Sequence, residues 1–167
     1  MDLQELVRRK LDWDDSIPAD LRPLWKENFA NIQEIGNIRF KRAIIPEDAI
    51  DLNITTLDFG DASPSMICTC VYARFKKKNG TYSCQLVLAR TKVVPQGMSL
   101  PRAEHLAALI NTYTSEVVRR SFNSFHQGST RFTDSQVCLY WITNDEKPLK
   151  QWAVSYTHLT LPTILLV

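Results

Sequence analysis

The sequence predicts an α/β domain built on a mixed sheet, an antiparallel three-strand meander plus a parallel fourth strand, with flanking helices. Three observations predict it. NITTLDFGDAS, SMICTCVYARF and TYSCQLVLARTKV are consecutive runs rich in β-branched and aromatic residues, the composition of half-buried strands. PRAEHLAALINTYTSEVV then carries apolar residues at helical spacing, long enough for a crossover connection. STRFTDS and QVCLYWI follow as a short strand and an apolar helix.

In chain order, the opening LDWDDSIPADLRPLWKENFANIQEI places Pro18 and a capping Asp20 ahead of Leu21, Leu24, Trp25 and Phe29 at helical spacing, a short connecting helix. The first strand begins near Asn53 and ends in the small residues of GDAS. The second and third are separated by KKKNG, where Asn79-Gly80 is a strong hairpin signal. The long helix starts with Pro101 in its first turn and directs Ala103, Leu106, Ala107, Ile110, Thr114 and Val117 to one side. Asp134 or Ser135 caps the last helix. Because strand–helix–strand crossovers are right-handed and return parallel, the fourth strand falls beside the first, making Asp61 and Asp134 neighbours. The chain shows neither an internal repeat nor a low-complexity tract.

At 167 residues, 44% hydrophobic and 23% charged, the chain suits one modest domain and is short for two. A net charge of +2 gives little global attraction to a polyanion, so nucleic-acid affinity has to come from a local patch. No apolar run approaches the roughly 20 residues of a membrane span, and MDLQELVRRK has no signal-peptide core, so a soluble intracellular protein is expected. Cys68, Cys70, Cys84 and Cys138 read as buried free thiols, since only Cys68 and Cys70 are close and zinc sites pair their ligands. His105 reads as a partly exposed helix residue and His126 as part of a polar loop, neither with a chemical partner. Trp13, Trp25 and Trp141 read as packing residues.

The chemistry lies in three acids. Asp61 ends the first strand, Glu104 stands beside the apolar stripe of the long helix, and Asp134 ends the fourth strand. Alone, each has an ordinary role, as a turn residue, a first-turn acid and a helix cap. Together, on rigid elements converging at one end of a sheet, carboxylates suit a hard divalent cation such as magnesium.

LDFGDAS, SLPRAEHLAALI and FTDSQVCLYWI resemble the three ribonuclease H motifs of BEL/Pao retrotransposon polyproteins, a region filed as the Pao retrotransposon peptidase family. LARTKVVP and LDWDDSIPADLRPLW also match, so the resemblance spans roughly residues 10 to 152 and is strongest over residues 51 to 143. It implies a ribonuclease H-like sheet, incomplete at the C-terminus, and a two-metal nuclease that cuts the RNA strand of RNA:DNA hybrids. Asp61 would bridge two Mg2+ or Mn2+ ions, with Glu104 and Asp134 completing the site. Lys76, Lys77, Lys78 and Arg102 are the expected phosphate contacts. Residues 1–50 would be a tether following the reverse transcriptase domain, with Trp25 available to meet it, and 51–152 a partial nuclease domain. The family's fourth acid and fifth strand come later, and AVSYTHLTLPTILLV, residues 153–167, resembles nothing in it and reads as a non-native tail. His158 is therefore not recruited, the fourth strand is expected as a bare edge, and cleavage by this fragment is expected to be weak or absent.

Two other readings compete. An aspartic peptidase needs two carboxylates sharing a proton, usually followed by a small hydroxyl residue and glycine, whereas Asp61 precedes Ala62 and Ser63, and Asp134 precedes Ser135 and Gln136. A non-catalytic retroelement remnant that keeps the fold as an interaction domain is the other. Divalent-cation binding through Asp61 separates the nuclease from both.

Overall fold

The computed structural model describes residues 2–39, 41–143 and 164–166, which divide into two compact units, 1–42 and 43–167.

The first unit holds two helices, α1 (Asp2–Arg8) and α2 (Arg22–Ile35). The connecting helix is where its periodicity predicts, with proline in its first turn, but Asp20 is not its cap: Leu21 occupies that position without a side-chain bond. Asp20 instead meets Arg9 at 2.9 Å, and Arg9 also reaches Glu5 at 3.0 Å. An arginine fork between two carboxylates satisfies more of its donors than a single cap would, which accounts for the choice. Trp25 packs on Phe29 with ring centroids 5.6 Å apart. Trp13 is not a packing residue, being 98% exposed.

The second unit is a sheet with one long helix across it. β1 (Ile54–Ala62), β2 (Met66–Lys76) and β3 (Tyr82–Val93) form the expected antiparallel meander. At the hairpin, Gly80 adopts φ +84°, and Lys77 and Thr81 close the loop with a 2.8 Å backbone bond; the left-handed turn explains Asn-Gly there. α3 (Leu100–Phe122) crosses to β4 (His126–Thr133), which lies parallel to β1, and α4 (Gln136–Thr143) follows. Strand order is β3-β2-β1-β4-β5, where β5 (Ile164–Leu166) pairs parallel with Arg131–Thr133. The fourth strand is therefore not a bare edge. Its open hydrogen-bonding side is taken by a β-branched and apolar triplet in the segment read as a tail, the composition that pairs readily with an unpaired strand. Residues 144–163, including His158, fall outside the described residues. Among the described residues no helix is long and apolar enough to cross a membrane.

α3 covers the face carrying Ile54, Thr56, Asp58 and Gly60 of β1 and Ile67, Thr69, Val71, Ala73 and Phe75 of β2. Two apolar clusters form, one around Ile67, Val94, Ala103 and Ala107, the other around Ile54, Ala73 and Phe75. The sheet-facing side of α3 differs from the predicted stripe. Ala103, Ala107 and Thr114 of that stripe are buried as predicted, but Val117 is 43% exposed, and Asn111, Ser115 and Val118 are buried instead. The reason is close approach: a Cβ on Gly60 would meet Asn111 Cβ at 3.1 Å and the Ala107 carbonyl at 3.2 Å, so the helix presents small and hydroxyl residues where the sheet comes nearest.

Between the clusters lies a polar seam. Thr56 Oγ1 donates to Ser129 Oγ at 2.9 Å, Ser115 and Ser129 hydroxyls are 3.3 Å apart, and Thr69 and Thr114 hydroxyls are 3.3 Å apart. Asp58, fully buried, faces Arg131 at 3.8 Å, and Arg131 also donates to Ser115 Oγ at 3.2 Å. Burial pushes the Asp58 carboxyl up, against the opposing pull of Ser115, Thr56 and Arg131.

Candidate active site

Asp61 and Asp134 are brought together. In β1 the alternation that buries Asp58 and Gly60 under α3 turns Phe59 and Asp61 to the opposite face. There a cleft of about 330 Å3 is lined by Phe59, Asp61, Cys68, Cys70, Phe132 and Asp134. Its floor is aromatic: Phe59 stacks on Phe132 at 4.7 Å and meets the edge of Tyr72 at 6.0 Å. Cys68 stands opposite Asp61 in the β1–β2 register. Cys68 and Cys84 are exposed and Cys70 is half-buried, so of the four thiols only Cys138 is buried as predicted; strands with an uncovered face leave their outward residues in solvent.

Glu104 belongs to the other face, on α3. It reaches the end of β4 through Ser135, whose hydroxyl donates to Glu104 Oε2 at 2.6 Å and accepts the Cys138 backbone N–H at 3.1 Å. Ser135, not Asp134, is the cap of α4, which leaves Asp134 exposed at the cleft. The chain between 134 and 135 thus turns around the end of the sheet, sending one side chain to each face. Ser135 as the residue holding Glu104 was not read from the sequence, where it stood only as a possible cap.

The donor chemistry fits a hard divalent cation, but the arrangement does not close around one. Asp61 Oδ1 accepts its neighbour Ala62's N–H at 2.6 Å, Glu104 is engaged by Ser135, and among the described residues no three His, Cys, Asp or Glu side chains are grouped to hold a metal ion.

The expected phosphate contacts divide. Arg102 lies on the first turn of α3, two residues from Glu104. Lys76, Lys77 and Lys78 lie at the far end of the sheet: Cys68, opposite Asp61, and Lys76 are eight residues apart on β2, about 26 Å at strand rise. Lys77 is paired with Asp48 at 2.7 Å.

His105 is buried, not partly exposed, at 2% accessibility. It sits 3.9 Å from the Cys138 sulfur and edge-on to Trp141, whose ring is 5.8 Å away, because α4 folds back on α3 there. Burial holds its imidazole below the usual histidine range and pushes the Cys138 thiol up to about 12. His126 does have partners, the hydroxyls of Thr56 and Ser129 at 3.4 and 3.3 Å.

A family model described as the Pao retrotransposon-like RNaseH-like domain matches residues 1–135. No curated protein matches the chain. Among solved structures, RNase H1 from the halophilic archaeon Halobacterium salinarum is 12% identical, with 69% of this chain and 85% of that one covered and a TM-score of 0.38. The foamy viral protease-reverse transcriptase in complex with an RNA/DNA hybrid is 13% identical, with 70% and 15% covered and a TM-score of 0.38. Its dRH form in complex with double-stranded DNA is 12% identical, with 99% and 29% covered and a TM-score of 0.37. The chain thus spans less than a third of those viral chains. Likenesses this distant carry no weight beside the strand order and the family match.

Proposed function

The chain belongs to the Pao retrotransposon-like RNaseH-like domain family, and from that premise we propose that it serves to hydrolyse the RNA strand of RNA:DNA hybrids in a BEL/Pao-type element. The observation that carries this reading is the placement of Asp61 and Asp134 in one cleft at the carboxyl ends of adjacent parallel strands. Glu104 is tied to the residue after Asp134. These three are the residues proposed to hold Mg2+ or Mn2+, which when bound supplies Lewis-acid stabilisation of a phosphate oxygen and lowers the pKa of a bound water. Asp61 would have to turn from the Ala62 N–H, and Glu104 to share its oxygens with Ser135, for such a site to close. A hybrid is recognised through backbone shape and 2′-hydroxyls, so the cleft needs no base-specific contacts, and Arg102, on the first turn of α3, is the proposed phosphate contact. The reverse transcriptase domain of the same polyprotein is the proposed partner in cis.

Cleavage of a labelled hybrid in Mg2+ or Mn2+ tests this, with this chain compared against one extended by native sequence past Trp152. Cutting that Asp61→Asn or Glu104→Gln abolishes supports the nuclease. The open arrangement of the acids favours a second reading, a non-catalytic domain that keeps the fold. Absence of cleavage by a folded extended chain, together with Mn2+ affinity unchanged by Asp61→Asn, decides for that one.

A further inference from the structure

A second cleft lies on the α3 side of the sheet, between that helix and the edge strand β3. It encloses about 700 Å3, and its lining includes Arg90, Lys92, Tyr113, Glu116, Val117 and Arg120. The register explains it. Thr69 pairs with Arg90 and Ile67 with Lys92, and since Thr69 and Ile67 are buried beneath α3, their cross-strand neighbours face the same way but lie beyond the helix's cover. Arg90 and Lys92 alternate along β3 about 6.8 Å apart, a spacing comparable to the backbone repeat of an extended polynucleotide. Across from them, α3 contributes Tyr113, 52% exposed, and Val117 above Ile67 and Ile110. Glu116 pins Arg119 and Arg120 at 2.6 and 2.7 Å, so two guanidiniums share one carboxylate, while Arg90 and Lys92 have no ion-pair partner among the described residues. Three cations, Arg90, Lys92 and Arg120, line the cleft against one anion, Glu116.

We propose that this cleft binds a single polynucleotide strand, with phosphates on Arg90 and Lys92 and a base against Tyr113 and Val117. A row of cations facing an exposed aromatic over an apolar floor is the arrangement that holds a single strand without reading its sequence. A duplex keeps its bases stacked within the helix and has none to lay against Tyr113, and an acidic peptide leaves the aromatic surface unused. The site is separate from the acids: Thr91, between Arg90 and Lys92, shares a cross-strand row with Cys68 and Asp61, but on the opposite face. It therefore stands or falls without the nuclease reading.

The test is fluorescence anisotropy of the full chain with a labelled 12-nucleotide oligo(U) in EDTA, titrated with salt. Arg90→Glu with Lys92→Glu is expected to weaken binding at least tenfold and to reduce the log–log salt slope by about 1.4, at about 0.7 per phosphate contact for single strands. Tyr113→Ala is expected to weaken it about tenfold without changing the slope. All are surface changes, so unchanged melting curves verify folding. Any of three results overturns the proposal: a salt slope unaffected by the double variant, a Tyr113→Ala chain that binds normally, or polyglutamate or blunt duplex competing as well as oligo(U).

Discussion

Replacing Arg131 by methionine isolates the buried pair that joins β1 to β4. Asp58 is fully buried and Arg131 only 5% exposed, with 3.8 Å between charged atoms. The hydroxyls of Ser115 and Thr56 and the Arg131 guanidinium all pull against the effect of burial on Asp58, and Arg131 is the cation that faces it. Removing one member of such a pair costs about 3–5 kcal/mol, because the other is left charged in a medium that cannot solvate it. For a unit of this size, at roughly 4 °C per kcal/mol, melting should fall by about 12–20 °C. Asp58→Asn added to Arg131→Met should restore most of that loss, since the uncompensated charge is gone. The pH dependence has a definite sign. A carboxyl held above its ordinary value of 3.8 by burial binds its proton more tightly when folded, so stability is greatest below the unfolded value and falls as pH rises through the folded one. Arg131→Met raises the folded value further, so its deficit should shrink on acidification towards pH 4. Urea denaturation followed by tryptophan fluorescence at several pH values measures all of this. A single-variant loss under about 1 kcal/mol, or a double variant less stable than the single, refutes the assignment of Arg131 as counter-charge.

Ser135→Ala removes both the cap of α4 and the donor to Glu104; a stability loss of about 1–3 kcal/mol is expected, with Ser135→Thr recovering it, and in the extended chain Mn2+ affinity should fall for Ala and not for Thr. Gly60→Ala places a methyl 3.1 Å from Asn111 and 3.2 Å from the Ala107 carbonyl, which should cost about 1–3 kcal/mol by thermal melting, while Gly128→Ala, with open space around it, should be near neutral. His105 is held below its ordinary value of 6.5 by burial, so the folded state resists its protonation and stability is lost as pH falls below about 6.5; His105→Gln should flatten the stability profile between pH 5 and 7, with the contribution of His126, also shifted down, left in place.

What the sequence made legible follows from how far each signal reaches. Strand runs, the Asn-Gly turn and the long helix are local patterns, and the crossover rule places β4 parallel beside β1, which is why Asp61 and Asp134 are paired by the sequence alone. The sheet-facing side of α3 was legible only in part, at Ala103, Ala107 and Thr114, because an apolar stripe is the wrong template where backbone approaches backbone. Asn111 and Ser115 look like a solvent face in the sequence, and only the sheet residues they meet, Gly60 and Ser129, explain why they are buried. His105 misled for the same reason, since its cover comes from Cys138 and Trp141 on a separate helix. β5 was missed because a three-residue strand has no periodicity to detect.

These misses bear on the acids. The expected trio treats Asp61, Glu104 and Asp134 as one cluster, yet strand alternation puts Asp61 on one face of the sheet and α3 holds Glu104 on the other. Only the 134–135 turn connects them, and Ser135 fixes it from the Glu104 side alone. Whether the acids meet around one ion therefore depends on the end of β1, where Gly60 sets the helix distance and Asp61 is the next residue. If the nuclease reading holds, Gly60→Ala should reduce cleavage by the extended chain more than its stability loss accounts for, because it displaces α3, and Glu104 with it, relative to Asp61. Cleavage that falls only in proportion to the folded fraction would show that the helix spacing does not set the acids.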